Sequence, residues 1–406
     1  MDTITAKFTV NTPLFMSGAD QTKAELRTPS IKGVIRFWWR ALHYAEDKTL
    51  SALKKREEEL FGSTRKQSSV RFALEYRSKQ LNIDNPRSNP SPTWLNGKKR
   101  CVYLGYGVIT VQEKLERPCI KHDQSFTLRI VARNEIDPSI MNAVKLFGLI
   151  GGAGAKSRKG YGSVTLVEMQ RNGEAIPCPC PQDLESYGTE LNKLLCQTGN
   201  FSLPAEHSFT AFSTAARIDT LLPGKDPIEI LNNYGETMQL YRSWGRKVKK
   251  GHVLPTGEQA EHNFKNDHDW FKNENSFRSR NPEFHPERAL FGLPHNYFKY
   301  DPNGNHLSAN VEPAGNSIER RASPLFFHVH KLADKQYIGV SILLPALFLP
   351  GTERQISADG TSVDLVENNY RILTNFLEGK RGYRTAKTKE YYFPERKQIW
   401  PAKEEK

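Results

Sequence analysis

The most informative part of the chain runs from Leu146 to Ser163 and reads LFGLIGGAGAKSRKGYGS. It combines an apolar segment, five glycines between Gly151 and Gly162, and three cations. Glycine adopts left-handed backbone conformations and lets a second backbone approach closely. Cations among glycines suit a polyanion that lies across backbone amides. The composition therefore predicts a phosphate-binding loop, although a glycine-rich connection between a helix and a strand would explain the glycines equally well.

The spacing within this stretch excludes the two common nucleotide-binding loops. A Walker A loop ends in a contiguous Gly-Lys-Ser/Thr, whereas Ala155 separates Gly154 from Lys156. A dinucleotide fingerprint needs a third glycine where Ser157 stands. Both motifs also follow a strand and open a helix, whereas this stretch is predicted to follow a helix and open a strand. The predicted ligand is therefore a long phosphate backbone rather than a mononucleotide.

Length and charge indicate a basic protein of more than one domain. At 406 residues the chain exceeds one ordinary core, so we expect two domains, 1–200 and 201–406. A formal charge of +13 without a lysine-rich tail is typical of a nucleic-acid-binding surface built into a fold. The sequence has no apolar run typical of a signal peptide and no 18 consecutive apolar residues. We therefore expect a cytoplasmic protein.

The five cysteines do not follow a metal-binding pattern. Cys178 and Cys180 form a C-x-C pair, Cys196 lies far downstream, and no histidine stands at the spacing of a zinc finger. We expect reduced thiols, no metal and no other cofactor.

The predicted elements fall into two similar halves. In the first half, apolar or alternating runs predict strands at 5–10, 69–76, 102–111, 125–132 and 163–167. Helical spacing there predicts helices at 29–44 and 141–150 and another ending at 60–62. In the second half, we predict strands at 207–214, 324–330 and 337–344, and helices at 228–250 and 363–377. The predicted fold class is α+β, with two tandem ferredoxin-like (RRM-like, βαββαβ) domains that carry long insertions.

Two short motifs recur in the second half. Leu60-Phe61-Gly62 is repeated as Leu290-Phe291-Gly292, 230 residues later. Arg158-Lys159-Gly160-Tyr161 is echoed by Lys380-Arg381-Gly382-Tyr383, 222 residues later. Because the two offsets nearly agree, they indicate a tandem duplication of one fold.

Three segments interrupt these halves without any periodicity. They are 84–99, 251–288 and 300–319, and they are rich in proline, asparagine, serine and charged residues. Loops of this length in a compact domain are either functional or disordered.

The helix predicted to begin near Thr28 has an apolar face and a basic face. The residues four apart on its basic face are Lys32, Arg36 and Arg40. Without carboxylate partners these cations repel one another, and a bound polyanion would relieve that repulsion. A solvated helix face is the alternative.

Two further basic clusters lie in the second half. One comprises Arg242, Arg246, Lys247, Lys249 and Lys250 near the end of a predicted helix, where cations also complement the helix dipole. The other is the pair Arg320 and Arg321, directly before the predicted strand 324–330, where a sheet surface could meet RNA.

Together these motifs resemble those of RAMP proteins. Residues 12–20 (TPLFMSGAD) and 25–42 (ELRTPSIKGVIRFWWRAL) are similar to the opening of the first RAMP subunit of the type III-B CRISPR (Cmr) effector complex. Residues 148–162 resemble the glycine-rich loop near the end of the family's first domain. Residues 321–325 are similar to the element that opens a strand in its second domain.

The resemblance implies two ferredoxin-like domains and a non-catalytic subunit of a ribonucleoprotein. It implies a position towards the 3′ end of the guide RNA, where the subunit helps to hold the guide–target duplex. The implied partners are guide (CRISPR) RNA, target RNA, and other RAMP and backbone subunits, and no membrane. With the basic clusters, the predicted RNA-binding residues are Lys32, Arg36, Arg40, Gly152, Gly154, Lys156, Arg158, Lys159, Arg242, Arg246, Lys247, Arg320 and Arg321.

Two other functions remain open at this point. A metal-independent endoribonuclease that processes guide precursors would need a general base and a cation near the attacked phosphate, and His43 and His122 are candidate bases. A general RNA-recognition module would need an aromatic-rich strand, which Lys159-Gly160-Tyr161-Gly162 begins and Ser163 interrupts. Phosphate contact is therefore favoured over base stacking in this stretch.

Overall fold

A computed structural model provides the structure of the chain. It describes residues 1–47, 49–76, 81–198, 201–202, 207–249, 251–254, 257–272, 286–300, 306–314, 318–349, 355–358, 361–364, 370–379 and 392–401. The predicted echo at 380–383 lies outside these ranges. None of the helices within them is long and apolar enough to cross a membrane.

The described part of the first half contains a main antiparallel sheet and five α-helices. The strands are β1 (Asp2–Val10), β2 (Val70–Glu75), β3 (Ile83–Asp84), β4 (Cys119–Ile120), β5 (Ser125–Ala132), β6 (Val164–Arg171) and β7 (Glu174–Ala175). The helices are α1 (Thr28–Asp47), α2 (Leu50–Phe61), α3 (Lys99–Leu104), α4 (Pro138–Ile150) and α5 (Leu184–Thr198), with a 3-10 turn at Thr93–Leu95. The main sheet has the order β2-β5-β1-β6-β7, and β3 pairs with β4 separately.

The second half is built around a second antiparallel sheet. Its strands are β8 (Arg217–Gly224), β9 (Arg246–Val248), β10 (Gly251–Val253), β11 (Gly292–Leu293), β12 (His295–Tyr300), β13 (His306–Pro313), β14 (Arg321–Ala322), β15 (Leu325–Lys331), β16 (Tyr337–Leu343), β17 (Gln355–Ala358), β18 (Thr361–Asp364) and β19 (Lys397–Trp400). Its helices are α6 (Pro227–Arg242), α7 (Lys265–Lys272) and α8 (Arg371–Leu377), with a 3-10 helix at Glu287–Phe291. The central sheet has the order β15-β16-β8-β19, beside a second sheet β12-β13-β17-β18.

Local sequence explains why the main elements form. In β1 the buried residues alternate with more exposed ones, as expected for a strand covered on one face. β16 is buried along its whole length, which is typical of a strand covered on both faces. α4 begins where the Asp137 side chain accepts a hydrogen bond of 2.8 Å from the Ser139 amide, and Pro138 occupies the first turn.

The two halves share their apolar interior. One hydrophobic cluster joins β1, α1 and α4 to Ile218 and Ile342 of the central sheet in the second half. The other joins α6 and β15 to Phe15 and Cys101 of the first half. A Cβ at Gly235 of α6 would collide with the carbonyl oxygen of Arg100 in α3. This glycine therefore lets α3 and α6 pack closely across the two halves.

Most predicted elements are confirmed within a few residues, but two predicted strands are wrong. Residues 102–111 were expected to form a strand, whereas α3 occupies 99–104 and turns follow. Residues 207–214 form irregular chain, and the strand is β8 instead. There the amide of Phe212 bonds the carbonyl of Ala41 at 3.0 Å. In both segments the apolar pattern reflects packing against a neighbouring helix rather than a strand ladder.

Two predicted helices are shorter than expected. The helix predicted over 228–250 ends at Arg242, because Gly245 at φ +77° redirects the chain into the β9–β10 hairpin. The helix predicted over 363–377 begins only at Arg371, and β18 precedes it. The predicted insertions contain regular structure: the 3-10 turn at Thr93–Leu95 lies in the first, β10 and α7 lie in the second, and β13 lies in the third.

The halves meet where the edge strand β15 runs beside the start of β6. Three alternate amides of β15 point towards the first half, as a two-residue repeat requires. The amide of Phe327 donates to the Arg158 carbonyl. The amide of Val329 donates to Ser163 Oγ, and that of Lys331 donates to Thr165 Oγ1. Each of these hydrogen bonds is 3.1 Å long. Asn11 Nδ2 donates to the Val329 carbonyl at 2.8 Å. We call this contact between β15 and the first half the seam.

Two histidines of β15 lie in the interior of the seam. His328 and His330 are each 1% exposed. His330 Nδ1 lies 3.5 Å from both His328 Nε2 and Thr165 Oγ1. Burial lowers the pKa of His330 to about 3 and that of His328 well below its usual value. Both rings are therefore neutral at pH 7.

Removing the Ser163 hydroxyl should weaken the seam. Ser163 Oγ accepts from Val329 N and donates to the Gly160 carbonyl at 2.9 Å, so Ser163→Ala leaves two buried backbone groups without this partner. We expect the free energy of unfolding in urea to fall by about 1–3 kcal/mol. The exposed Ser125→Ala should change it by less than about 0.5 kcal/mol. Equal stability of Ser163→Ala and wild type would contradict the role of the hydroxyl.

Mild acid should destabilise the seam through its histidines. An unfolded histidine takes up a proton near pH 6.5, whereas folded His330 does so only near pH 3. Its contribution is therefore intact above about pH 7 and is lost as the pH falls below about 6.5, by about 2 kcal/mol at pH 5. In urea unfolding, His330→Phe should reduce the loss between pH 7 and 5 by this amount. The partly exposed His122→Asn should not, and an unaltered loss in His330→Phe would refute the assignment.

Candidate nucleic-acid interface

The glycine loop, residues 151–163, is packed into the protein and uses several of its amides internally. The amide of Ala153 donates to Gly162 O (2.9 Å), that of Ala155 to Phe15 O (2.8 Å), and that of Gly162 to Pro13 O (2.9 Å). These amides are not free to bind an anion, so the expectation of a polyanion lying across exposed amides is wrong for them.

The glycines of this loop are explained by close backbone packing. Gly154 has φ +79°, and a Cβ there would lie 2.5 Å from the Phe15 carbonyl oxygen. Gly162 has φ +62°, and a Cβ there would collide with the Ala153 carbonyl oxygen. Gly152 pairs with Ser163 through an isolated bridge. Contact of Gly152 or Gly154 with RNA remains a prediction.

The cations of the loop reach into the second half. Arg158 Nη1 donates to the Ser323 carbonyl at 2.6 Å, and its guanidinium lies 4.3 Å from the Phe326 ring centroid. Lys159 Nζ lies 3.7 Å from Met238 Sδ of α6. The loop therefore holds its cations between α6 and the segment that leads into β15.

These loop cations stand close to cations of the second half. Burial and then the charge of Arg320 lower the pKa of Lys156. Burial and then the charge of Arg321 lower the pKa of Arg158 to about 10. Burial, followed by the charges of Arg242, Lys156 and Arg158, lowers the pKa of Lys159 to about 7. Among the described residues, the charges that shift the pKa values of these three side chains are all positive.

We call the resulting group of side chains the seam cluster. Its members are Lys156, Arg158, Lys159, Arg242, Arg320 and Arg321. Within the described ranges none of them forms an ion pair with a carboxylate. Arg320 is exposed, whereas Arg321 Nη2 donates to the Leu347 carbonyl at 3.1 Å and Arg242 lies over the Phe291 ring at 4.6 Å. All six were predicted to bind RNA, and the fold brings them together from three separate segments.

The cations of α1 have a different environment. Arg36 Nε donates to Glu57 Oε1 of α2, and Arg40 Nε lies 3.5 Å from the same oxygen. The expectation that these cations lack a carboxylate partner is therefore wrong. Helical spacing could not predict Glu57 as a partner, because this residue lies in α2 and not one turn along α1. Lys32 lies 5.4 Å from the Phe72 ring, and burial lowers its pKa.

The remaining predicted RNA-binding residues lie on a hairpin. Arg246 and Lys247 are exposed on β9, beyond the end of α6. Only Arg242 of this basic group lies in the last turn of the helix, so the helix dipole can act directly on that residue alone.

The two candidate catalytic histidines lie in different surroundings. His43 is 4% exposed, its Nδ1 lies 2.9 Å from Glu46 Oε2, and burial lowers its pKa. His122 Nε2 lies 3.8 Å from Asp123 Oδ2. The two seam histidines, His328 and His330, are neutral and buried. Of these four rings, only His122 is partly accessible to an RNA substrate.

The sequence is similar to a known family and to two CRISPR subunits. Residues 7–165 match the model of the RAMP superfamily. The CRISPR system Cmr subunit Cmr1-1 of Pyrococcus furiosus is 28% identical over 247 residues, which is 56% of this chain and 67% of that protein. Subunit Cmr1-2 of the same organism is 50% identical over 62 residues, which is 14% of this chain and 32% of that protein.

Solved structures show the same fold. The crystal structure of apo Cmr1 from Pyrococcus furiosus aligns with a TM-score of 0.56 at 17% identity, covering 98% of this chain and 99% of that one. A chain of the cryo-EM structure of the type III-B Cmr-beta complex bound to cognate target RNA aligns with a TM-score of 0.52 at 13% identity, covering 92% and 98%. Residues 7–165 therefore match the RAMP superfamily, and the chain as a whole resembles the Cmr1 subunits of type III-B CRISPR systems in sequence and fold.

Proposed function

We propose that this chain is a non-catalytic RNA-binding subunit of a type III-B CRISPR effector complex. In this role it lies towards the 3′ end of the guide RNA and helps to hold the guide–target duplex. Its partners are guide and target RNA and the neighbouring RAMP and backbone subunits. The seam cluster is the observation that carries this proposal, and the named relatives support it.

We further propose that the two halves, 1–200 and 201–406, are tandem ferredoxin-like domains. The first sheet contains the order β2-β5-β1-β6, and the central sheet of the second half has the order β15-β16-β8-β19. If the four strands named in each of these sheets are numbered in the order in which they occur along the chain, both sheets have the spatial order 2-3-1-4. The first strand is followed by α1 and α2 in the first half and by α6 in the second, and the fourth strand is preceded by α4 and α8 respectively. This shared order supports the βαββαβ pattern in each.

The electrostatics of the seam cluster favour a polymeric anion. Half-buried cations that lower one another's pKa leave a positive charge that water screens poorly. A phosphate backbone presents a row of anions and would offset the repulsion at several of these side chains together. Bound phosphate would also raise the pKa of Lys159 from about 7, so that its charge is retained at neutral pH.

The buried histidines support a binding role over an enzymatic one. A general base must come within hydrogen-bond reach of the 2′-hydroxyl that it deprotonates. His43, His328 and His330 are enclosed by protein, which makes that approach impossible without rearrangement. The metal-independent endoribonuclease remains the alternative function.

Charge reversal in the seam cluster should weaken RNA binding and its dependence on salt. If about five phosphates are neutralised, log affinity should fall with log salt at a slope of roughly −3.5 to −4.5. Lys156→Glu combined with Arg320→Glu should flatten the slope by roughly 1.4–1.8, since two phosphates lose their cations. Fluorescence anisotropy with a labelled RNA duplex at several salt concentrations measures both slopes.

A matched pair on α2 controls for net charge. Lys54→Glu with Lys55→Glu changes the charge equally at two exposed residues and should leave the slope unaltered. A seam variant whose slope equals that of wild type would place the RNA elsewhere. The same RNA incubated without metal should stay intact, and cleavage that disappears in His122→Ala would favour the endoribonuclease.

A further inference from the structure

Beyond α6 the chain builds a small module whose chemistry differs from that of the seam cluster. The β9–β10 hairpin is followed by α7. Gly245 has φ +77°, and a Cβ there would lie 2.9 Å from the Val253 carbonyl oxygen, so the chain passes close to itself at this point. The module falls mainly within the segment 251–288, which the sequence indicated as functional or disordered. Its centre is a group of rings that are far apart in sequence.

Four aromatic rings pack together in this module. Trp244 stacks with His262 at a centroid distance of 4.1 Å and 20°, and with His268 at 4.1 Å and 17°. His252 lies 5.3 Å from Trp244 and meets His262 edge-on at 4.8 Å. All four residues are only partly buried. The group, which we call the ring cluster, therefore reaches the protein surface.

Cations border the ring cluster on the hairpin. Arg246, Lys247 and Lys249 are exposed. Lys247 stands directly opposite His252 in the hairpin register. Cross-strand partners project from the same face of a ladder, so a cation and a ring lie side by side there.

Four carboxylates in the described part of this module, between Glu258 and Asp269, are engaged or buried. Glu258 accepts from Arg100 at 2.5 Å, and Asp267 is fully buried and accepts from Tyr297 at 2.8 Å. Asp269 pairs with Lys265, and Glu261 is 3% exposed. The exposed charge of the hairpin is therefore positive.

We propose that the hairpin cations and the ring cluster together bind unpaired RNA, with phosphates on the cations and bases stacked on the rings. Every base presents a π-face, so aromatic rings beside cations suit a single strand of any sequence. The bases of a duplex stack on one another and cannot use these rings. This inference rests on the proposed function and extends it, since Arg242, which acts on Lys159 in the seam cluster, lies two residues before Trp244.

Binding of short labelled RNAs tests the electrostatic part of this inference. The probes are a ten-nucleotide oligouridylate and a ten-base-pair RNA duplex. Arg246→Glu, Lys247→Glu and Lys249→Glu combined should lower affinity for the oligouridylate roughly 10-fold or more in 0.1 M salt and flatten its salt slope by roughly 2. The duplex should lose much less. An equal charge change at Lys54, Lys55 and Lys66 serves as the control.

A base analogue tests the stacking. 2-Aminopurine within the unpaired RNA should lose fluorescence on binding to wild type, because a stacked base is quenched. His262→Ala and His268→Ala should each restore part of the fluorescence and weaken binding roughly 10-fold, in line with the loss of one stacked base. Tyr106→Ala removes an exposed ring outside the module and should change neither. Trp244→Phe keeps a ring at the centre and should retain most of the quenching.

The outcomes separate this inference from the proposed function. If the hairpin variant binds oligouridylate as wild type does, while Lys156→Glu with Arg320→Glu weakens binding to the duplex, the hairpin inference is overturned and the proposed function stands. If wild type binds neither RNA, both are overturned. Absence of 2-aminopurine quenching in wild type overturns the stacking mode. Circular dichroism of each variant verifies folding, and the histidine variants test the site independently if the triple variant unfolds.

Discussion

The two halves are joined through the need of the edge strand β15 for hydrogen-bond partners for its backbone amides. A strand at the edge of a sheet presents a row of amides that must find partners once water is excluded. Here the partners are a backbone carbonyl from the glycine loop and hydroxyls of Ser163 and Thr165. The first half thus completes the second sheet mainly with side chains, without adding a regular strand to it.

This constraint also accounts for the composition of the glycine loop. For the Arg158 carbonyl to reach Phe327, the next residues must pass against the second half at very short range. A Cβ at Gly160 would lie 2.6 Å from the Phe327 ring and 2.8 Å from Leu231. The glycines that resembled a phosphate-binding loop therefore serve contact between backbone and core. The cations between them are carried into the seam by the same geometry.

The sequence predicted elements well wherever local pattern and tertiary packing agree. β15 and β16 are continuous apolar runs, and α4 has its capping aspartate and proline, so their positions follow from nearby residues. The strand predicted over 102–111 failed because α3 is selected by its contact with α6, 130 residues away in sequence. Glu57 beside Arg36, and the ring cluster around Trp244, were missed for the same reason. The residues in these contacts do not follow a helical or strand spacing in the sequence, and only the fold brings them together.

Burial engages several amides of the glycine loop within the protein, so the proposed contact with an anion falls to side chains. The packing that engages the amides of Ala153, Ala155 and Gly162 removes the donors on which a Walker-type loop depends. The same packing places Lys156 and Lys159 where charges interact strongly, because less water screens them. In the proposed function, the amines and guanidinium groups, whose positions the loop backbone fixes, are the groups that would hold an anion at this site. It follows that the glycines and the cations of one short segment do separate work: a change at Gly162 acts through stability, whereas a change at Lys156 acts through charge.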